Sequence, residues 1–271
     1  MIELPEANVL AKQFAHHLTG KRVRDMVAAG TPHKFTWYSG EPELYGQRFQ
    51  GHTLTGARAY GGQVEVHFED QALLFNDGPF FVLTGPGEEA PSRHQLQVAF
   101  EDGYTLTVTT RMYAGMCAYK LGEYDNGYYQ VAVDKPNPLT DAFDAAYFES
   151  IRAAAKPKLT VKGLLATEQR IPGLGNGVLQ DILLAAGLRP MRKLCDVSDA
   201  QAEVMFRCVK DKLHEMTALG GRDTERDLLG KPGGYHVLMN SKAMYCALCG
   251  GPVTRKAYMG GNVYYCEKCQ Q

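Results

Sequence analysis

The stretch CALCGGPVTRKAYMGGNVYYCEKC, Cys246 to Cys269, restricts the fold of this chain more than any other. It reads C-x2-C, sixteen residues, C-x2-C. Two chelating pairs at that separation fit one tetrahedral Zn2+ site, each pair forming a tight knuckle. The competing reading is two disulfides or stray thiols, and the spacing favours the metal. Between the pairs the sequence predicts a short hairpin. Pro252-Val253-Thr254 forms one arm, Gly260-Gly261-Asn262 turns, and Val263-Tyr264-Tyr265 returns. Cys246, Cys249, Cys266 and Cys269 are thus the metal ligands expected. A closed four-cysteine site has no open coordination position, so its role is structural rather than catalytic.

The rest of the chain is long enough, at 271 residues with 45% hydrophobic content, for two further cores. No apolar run reaches the length of a membrane span, and the N-terminus MIELPEANVLAKQFAHHL has acids where a signal peptide needs bases. Cys117, Cys195 and Cys208 are an odd set at irregular spacing, the usage of a reducing cytoplasm. Net charge is −1, but unevenly spread. Residues 1–135 carry 11 Lys/Arg against 16 Asp/Glu, and residues 136–271 carry 18 against 14. A basic C-terminal half suits a polyanionic partner, although a charge fluctuation would look the same.

Hydrophobic period divides the chain. Pro5 to Leu18 predicts an amphipathic helix with Val9, Leu10, Phe14 and Leu18 near one face and Gly20 ending it. From about Arg22 to Tyr119 the period is two. QVEVHFED, ALLFNDG, PFFVLTG, HQLQVAFEDG and YTLTVTT are short strands separated by turn residues, a β-sandwich or barrel-like sheet. YDNGYYQVAVDKPNPLTD reads as a linker in which Pro136 and Pro138 delay the next helix. Helices are then expected over Asp141–Ala155, Val161–Gln169, Gly177–Ala186 and Ser198–Ala218, the last opened by a Ser198/Gln201 capping box. The expected fold class is α+β multidomain. Residues 1–120 form an N-terminal helix and β-sandwich, 121–140 a linker, 141–240 a helical domain and 241–271 the zinc ribbon.

Within the helical part, VKGLLATEQRIPGLGNGVLQDILLAAGLRP reads as helix, Gly-rich connection, helix. Gly173 and Gly175 allow unusual backbone conformations. Asn176 is placed to cap the second helix, whose free N–H groups can bind a phosphate, with Lys162 supplying a cation. An ordinary helical hairpin is the plain alternative.

With these motifs in this order, the chain resembles the formamidopyrimidine-DNA glycosylase / endonuclease VIII family of base-excision repair enzymes. Glu3-Leu4-Pro5-Glu6 looks like the family's N-terminus, IPGLGN like its helix–two-turn–helix, and the cysteine ribbon like its zinc finger. The resemblance implies a protein that clamps damaged double-stranded DNA between two domains and flips the lesion out of the stack. It implies a monomer acting on DNA in the bacterial cytoplasm. By similarity, Lys162 and Asn176, next to Gly175, hold phosphates beside the lesion. Glu3 works on the sugar ring and Glu6 is the second acid. Arg111-Met112-Tyr113 falls after the strand YTLTVTT, where the family has a loop that fills the gap left by the flipped base. Met112 stands in place of an arginine and Tyr113 in place of a phenylalanine.

Three departures concern the chemistry. The family nucleophile is the amine of an N-terminal proline, and here Met1 is followed by Ile2. The family lysine of the β domain has no counterpart, because no lysine lies between Lys34 and Lys120, and Arg58 is the nearest substitute. The finger arginine is replaced by Gly261, leaving Arg255 and Lys256 on the other arm to reach phosphate. The expectation is a glycosylase that releases a damaged, oxidised base with Glu3 as general base or electrostatic stabiliser and with weakened strand cleavage. The competing expectations are a non-catalytic binder of abasic or damaged DNA, and a zinc-ribbon protein acting on RNA or protein.

Overall fold

A computed structural model describes residues 1–271. Helix α1 (Leu4–Leu18) begins where Pro5 presets the first turn and the Glu6 carboxylate accepts from the Glu3 amide at 3.1 Å. Its buried residues Ala7, Leu10, Phe14 and Leu18 recur every three or four positions. Val9, expected on that face, sits at its margin and is only half-buried. Phe14 meets Phe81 edge-on at 5.4 Å in the sandwich core, a favourable aromatic geometry.

The sheet has seven strands: β1 (Val23–Ala28), β2 (Thr36–Tyr38), β3 (Leu54–Tyr60), β4 (Gln63–Phe68), β5 (Gln71–Thr84), β6 (Leu96–Phe100) and β7 (Thr105–Lys120). The path runs β1-β6-β7-β5-β4-β3, antiparallel throughout, and β2 adds to β7 in parallel. A short helix α2 (Tyr45–Phe49) packs on β1. The two segments ALLFNDG and PFFVLTG are one strand, β5, bent by a register shift between Asp77 and Pro79. Bulges of this kind re-aim side chains without ending the ladder.

The segment read as an open linker contains helix α3 (Gly127–Asp134). Asn126 starts it by accepting from the Tyr128 and Tyr129 amides at 3.0 and 3.1 Å. Pro136 and Pro138 therefore follow this helix rather than delay the next one. Tyr129 donates its hydroxyl to Glu65 at 2.5 Å, and Tyr119 and His67 share the same carboxylate. That buried cluster fastens α3 to the outer face of β4.

Four helices follow: α4 (Ala145–Ala154), α5 (Val161–Ala166), α6 (Asn176–Ala186) and α7 (Asp199–Ala218). The Ser198/Gln201 capping box opens α7. Helix α5 stops three residues before the expected Gln169, because Glu168 and Gln169 adopt φ of 54° and 45°. Asp181 of α6 is buried and accepts from the Leu238 and Met239 amides at 2.9 and 2.8 Å, fixing the chain that leads to the ribbon. The ribbon hairpin is β8 (Val253–Tyr258) paired with β9 (Gly261–Cys266), and Leu184 and Met239 pack beneath Cys246 and Cys266. The two larger units interlock. Leu4 of α1 lies in the helical core, and Leu228, beyond α7, lies in the sandwich core. No helix is long and apolar enough to cross a membrane.

Candidate active site

The N-terminal segment threads between the two units. The Ile2 amide donates to the Asp77 carbonyl at 2.6 Å, and the Leu4 amide to the Gly173 carbonyl at 2.8 Å. Glu3, held at that junction, is only 6% exposed, and its carboxylate accepts from the Gly177 and Val178 amides of α6, both at 2.8 Å. This corrects the sequence reading of α6. Asn176 is the first helical residue, Gly175 is the N-cap, and the carboxylate at the positive end of the helix comes from Glu3, 170 or more positions away in sequence. The close approach explains two glycines. A Cβ on Gly175 would lie 2.6 Å from Glu3 Oε1, and one on Gly177 would lie 1.7 Å from Arg222 Nη1. Two of the first-turn amides that sequence reading left open for phosphate, those of Gly177 and Val178, are therefore engaged.

Arg222, which sequence reading missed, is the buried cation of this junction. It sits after Gly220 and Gly221, both at positive φ. Its Nε and Nη2 donate to the two Glu6 oxygens at 2.9 and 2.7 Å, Nη2 also donates to the Met1 carbonyl at 3.1 Å, and Nη1 lies 3.6 Å from Glu3. Burial acts against ionised Glu6, but the charge and hydrogen bonds of Arg222 prevail and hold its carboxyl below the usual range. The Met1 amine is paired with Glu225 at 2.7 Å. A run of GGR after a long helix is the only signal of Arg222 in the sequence, and it names no partner.

Lys162 and Asn176 come together as expected. The lysine ammonium, 3% exposed as a residue, donates to Asn176 Oδ1 at 2.9 Å and to the Tyr258 carbonyl at 2.8 Å. The Asn176 amide donates to the Asn262 carbonyl at 2.9 Å. Burial pushes the Lys162 ammonium below its ordinary value. Both residues thus sit under the ribbon turn, close to Gly261.

A cleft of about 580 Å³ opens beside these groups. Its lining includes Met1, Ile2 and Glu3, Gln63 and Asp77, and Tyr128, Gln169 and Asn176. Arg58 is exposed on β3 and does not line it. Arg255 and Lys256 are exposed on β8, on the outer arm of the ribbon. Arg111, Met112 and Tyr113 do not form a strand-end loop. They continue β7, because its pairing with β5 resumes at Asp77↔Ala114 and carries the strand on to Lys120. Arg111 lies over the Phe80 ring at 4.1 Å, Met112 is 64% exposed, and Tyr113 stacks on Trp37. Arg111 and Met112 border a smaller cavity of about 210 Å³ that Met1 and Ile2 also reach.

The four cysteines bring their sulfurs within 4.8 Å of one another, close enough for one metal ion. Cys249 and Cys266 sulfurs are 3.5 Å apart, and those of Cys246 and Cys269 are 3.9 Å apart. A tetrahedron with Zn–S bonds of about 2.3 Å has sulfur–sulfur edges of about 3.8 Å, so the set fits.

No protein-family model matches the chain. It is 25% identical to the formamidopyrimidine-DNA glycosylase of Geobacillus kaustophilus and 27% identical to that of Polaromonas naphthalenivorans, each alignment covering 100% of both chains. The chain is similar over its whole length to formamidopyrimidine-DNA glycosylases. The fold agrees. A Lactococcus lactis Fpg complexed with DNA containing an abasic site superposes with a TM-score of 0.84 at 19% identity, covering 99% of each chain. The Thermus thermophilus MutM (Fpg) protein gives 0.79 at 21% identity, covering 99% of this chain and 98% of that one. The Ile2 nitrogen is an amide engaged with Asp77, and the free amine belongs to Met1 and is engaged with Glu225.

Proposed function

We propose that this protein is a base-excision-repair DNA glycosylase that everts a damaged, oxidised nucleotide from duplex DNA and cleaves its N-glycosidic bond, with weak strand cleavage. The observation that carries the reading is the placement of Glu3: a buried carboxylate on the wall of a 580 Å³ cleft, beside Asn176 and the Lys162 bonded to it. In a family whose members are named for glycosylase activity, that arrangement suits a flipped nucleotide whose phosphate meets the lysine and asparagine. Glu3 acts by charge. Its oxygens are committed to α6 amides, so it stabilises positive charge growing on the sugar rather than removing a proton.

Weak strand cleavage follows from the amine. A proline amine gives an iminium at C1′ that favours elimination, and Ile2 supplies no such group. The ribbon holds one structural Zn2+ through Cys246, Cys249, Cys266 and Cys269, and presents Arg255 and Lys256 to the backbone. Arg111, Met112 and Tyr113 fill the gap in the duplex.

The test is a panel of duplexes carrying oxidised purines, oxidised pyrimidines or abasic sites, read with and without alkali and with borohydride. Cuts that appear only after alkali, with little covalent trapping, are expected. Efficient trapping would show an amine nucleophile at work. The second reading is a binder of damaged DNA without turnover, favoured by the ion pair that occupies the Met1 amine. Tight binding to an abasic analogue with no base release from any lesion would establish it.

A further inference from the structure

Three carboxylates line the cleft: Glu3, Asp77 and Glu168. Glu3 accepts two helix amides, and Glu168 is paired with Arg170 at 2.5 Å. Asp77 has no hydrogen-bond or ion-pair partner for either carboxylate oxygen. Its backbone is unusual in the same place. It is a non-glycine residue at φ 67°, set at the register shift that bends β5. Backbone held in that sparse region persists only where surrounding structure enforces it, and such positions gather at active sites. Here the enforcement is visible, since the Asp77 carbonyl holds the Ile2 amide at 2.6 Å. The carboxylate is thereby carried beside the N-terminal segment that presents Glu3. On the same wall, Gln63 is 2% exposed and its amide nitrogen has no partner, which leaves an unmet donor for a polar ligand.

We infer that Asp77 is the general base that deprotonates the water attacking C1′ of the everted nucleotide. The inference rests on the glycosylase reading above. The C1′–N bond breaks and its electron pair leaves with the base. The water oxygen bonds to C1′, and its proton passes to an Asp77 oxygen. Asp77 then returns that proton to the departed base, so the products are a C1′ hydroxyl and a neutral base. Glu3 carries the charge of the sugar and Asp77 carries the proton, which divides between two carboxylates what one would have to do alone. Burial raises the Asp77 carboxyl above the ordinary range and the chain amine opposes that shift, the direction that improves a base. The groups that face Asp77 are the Met1 amine, Glu3 at the N-cap of α1, Tyr113 from β7 and Tyr128 from α3.

The experiment is single-turnover base release across pH 4–9 for the wild type, Asp77→Asn and Glu3→Gln, with binding to a duplex containing a tetrahydrofuran abasic analogue measured in parallel. Asparagine tolerates positive φ, so Asp77→Asn should bind the analogue within about twofold of wild type. Base release should fall by about 10²–10⁴-fold, and the rise of rate with pH on the acid side should vanish. Glu3→Gln should be slow yet keep that rise. Where Asp77→Asn loses affinity, Asp77→Gly, which also suits the backbone, takes its place and must show the same loss. An active wild type with an Asp77→Asn variant of similar rate and unchanged pH profile would overturn the assignment alone. A wild type that releases no base from any lesion would overturn the glycosylase reading and the assignment with it.

Discussion

Arg222 grips Glu6 through two hydrogen bonds, Nε to Oε1 at 2.9 Å and Nη2 to Oε2 at 2.7 Å. Both side chains are buried, and the same guanidinium reaches the Met1 carbonyl and the edge of Glu3. One residue beyond α7 therefore fixes the position of the whole N-terminal segment.

Removing that grip leaves a buried carboxylate without its partner. Arg222→Met should cost about 3–5 kcal/mol in urea unfolding and should also slow base release, because Glu3 loses its neighbour. Arg222→Lys should recover little of either, since an ammonium cannot reproduce the two-pronged geometry. Stability within about 1 kcal/mol of wild type for the methionine variant would show that the pair is not holding the junction.

The pH dependence has a definite sign. The Glu6 carboxyl is held below its unfolded value, so its ionised form stabilises the folded state above that value, about 4.3, and this contribution disappears as pH falls through the lower folded value. The stability difference between wild type and Glu6→Gln should therefore be constant near neutral pH and shrink on acidification below about pH 4.3. Urea titrations at several pH values measure it, and a difference that grows on acidification would reverse the argument.

Lys162 joins Asn176 to the ribbon turn. Lys162→Ala should weaken duplex binding and reduce the slope of log affinity against log salt by about one, the signature of one lost phosphate contact. Asn176→Ala should weaken binding with the slope nearly intact. Unchanged affinity in both variants would place the DNA elsewhere.

The ribbon should carry one zinc per chain. Cys266→Ser, or chelation of the wild type, should unfold β8 and β9, because metal binding supplies most of the folding energy of so small a module. Duplex affinity should fall as well, through the loss of the Tyr258 and Asn262 carbonyls that orient Lys162 and Asn176. Protein purified without chelators and containing no zinc would refute this.

The sequence by itself determined the features that depend on near neighbours. The cysteine spacing placed the ribbon, apolar period placed α1 and α7, and Ser198 with Gln201 marked the start of α7 to the residue. Alternation marked the sheet as a sheet. It did not reveal that ALLFNDG and PFFVLTG are a single strand, because a bulge at Asp77 looks like a turn when its partner strand is unknown. It did not reveal α3, whose burial depends on Glu65 accepting the Tyr129 hydroxyl from 64 residues away.

Only the tertiary structure decided the site. Glu3 was legible as a carboxylate, but its commitment to the α6 amides appears only when residues 174 positions apart meet. Arg222 carried no local signal, since a charged residue after two glycines is usually an exposed turn, and its role comes from being buried between two acids. Asp77 looked like a turn residue for the same reason. Sequence encodes periodicity and spacing within reach of a few residues, whereas desolvation and pairing are properties of the space that distant segments enclose.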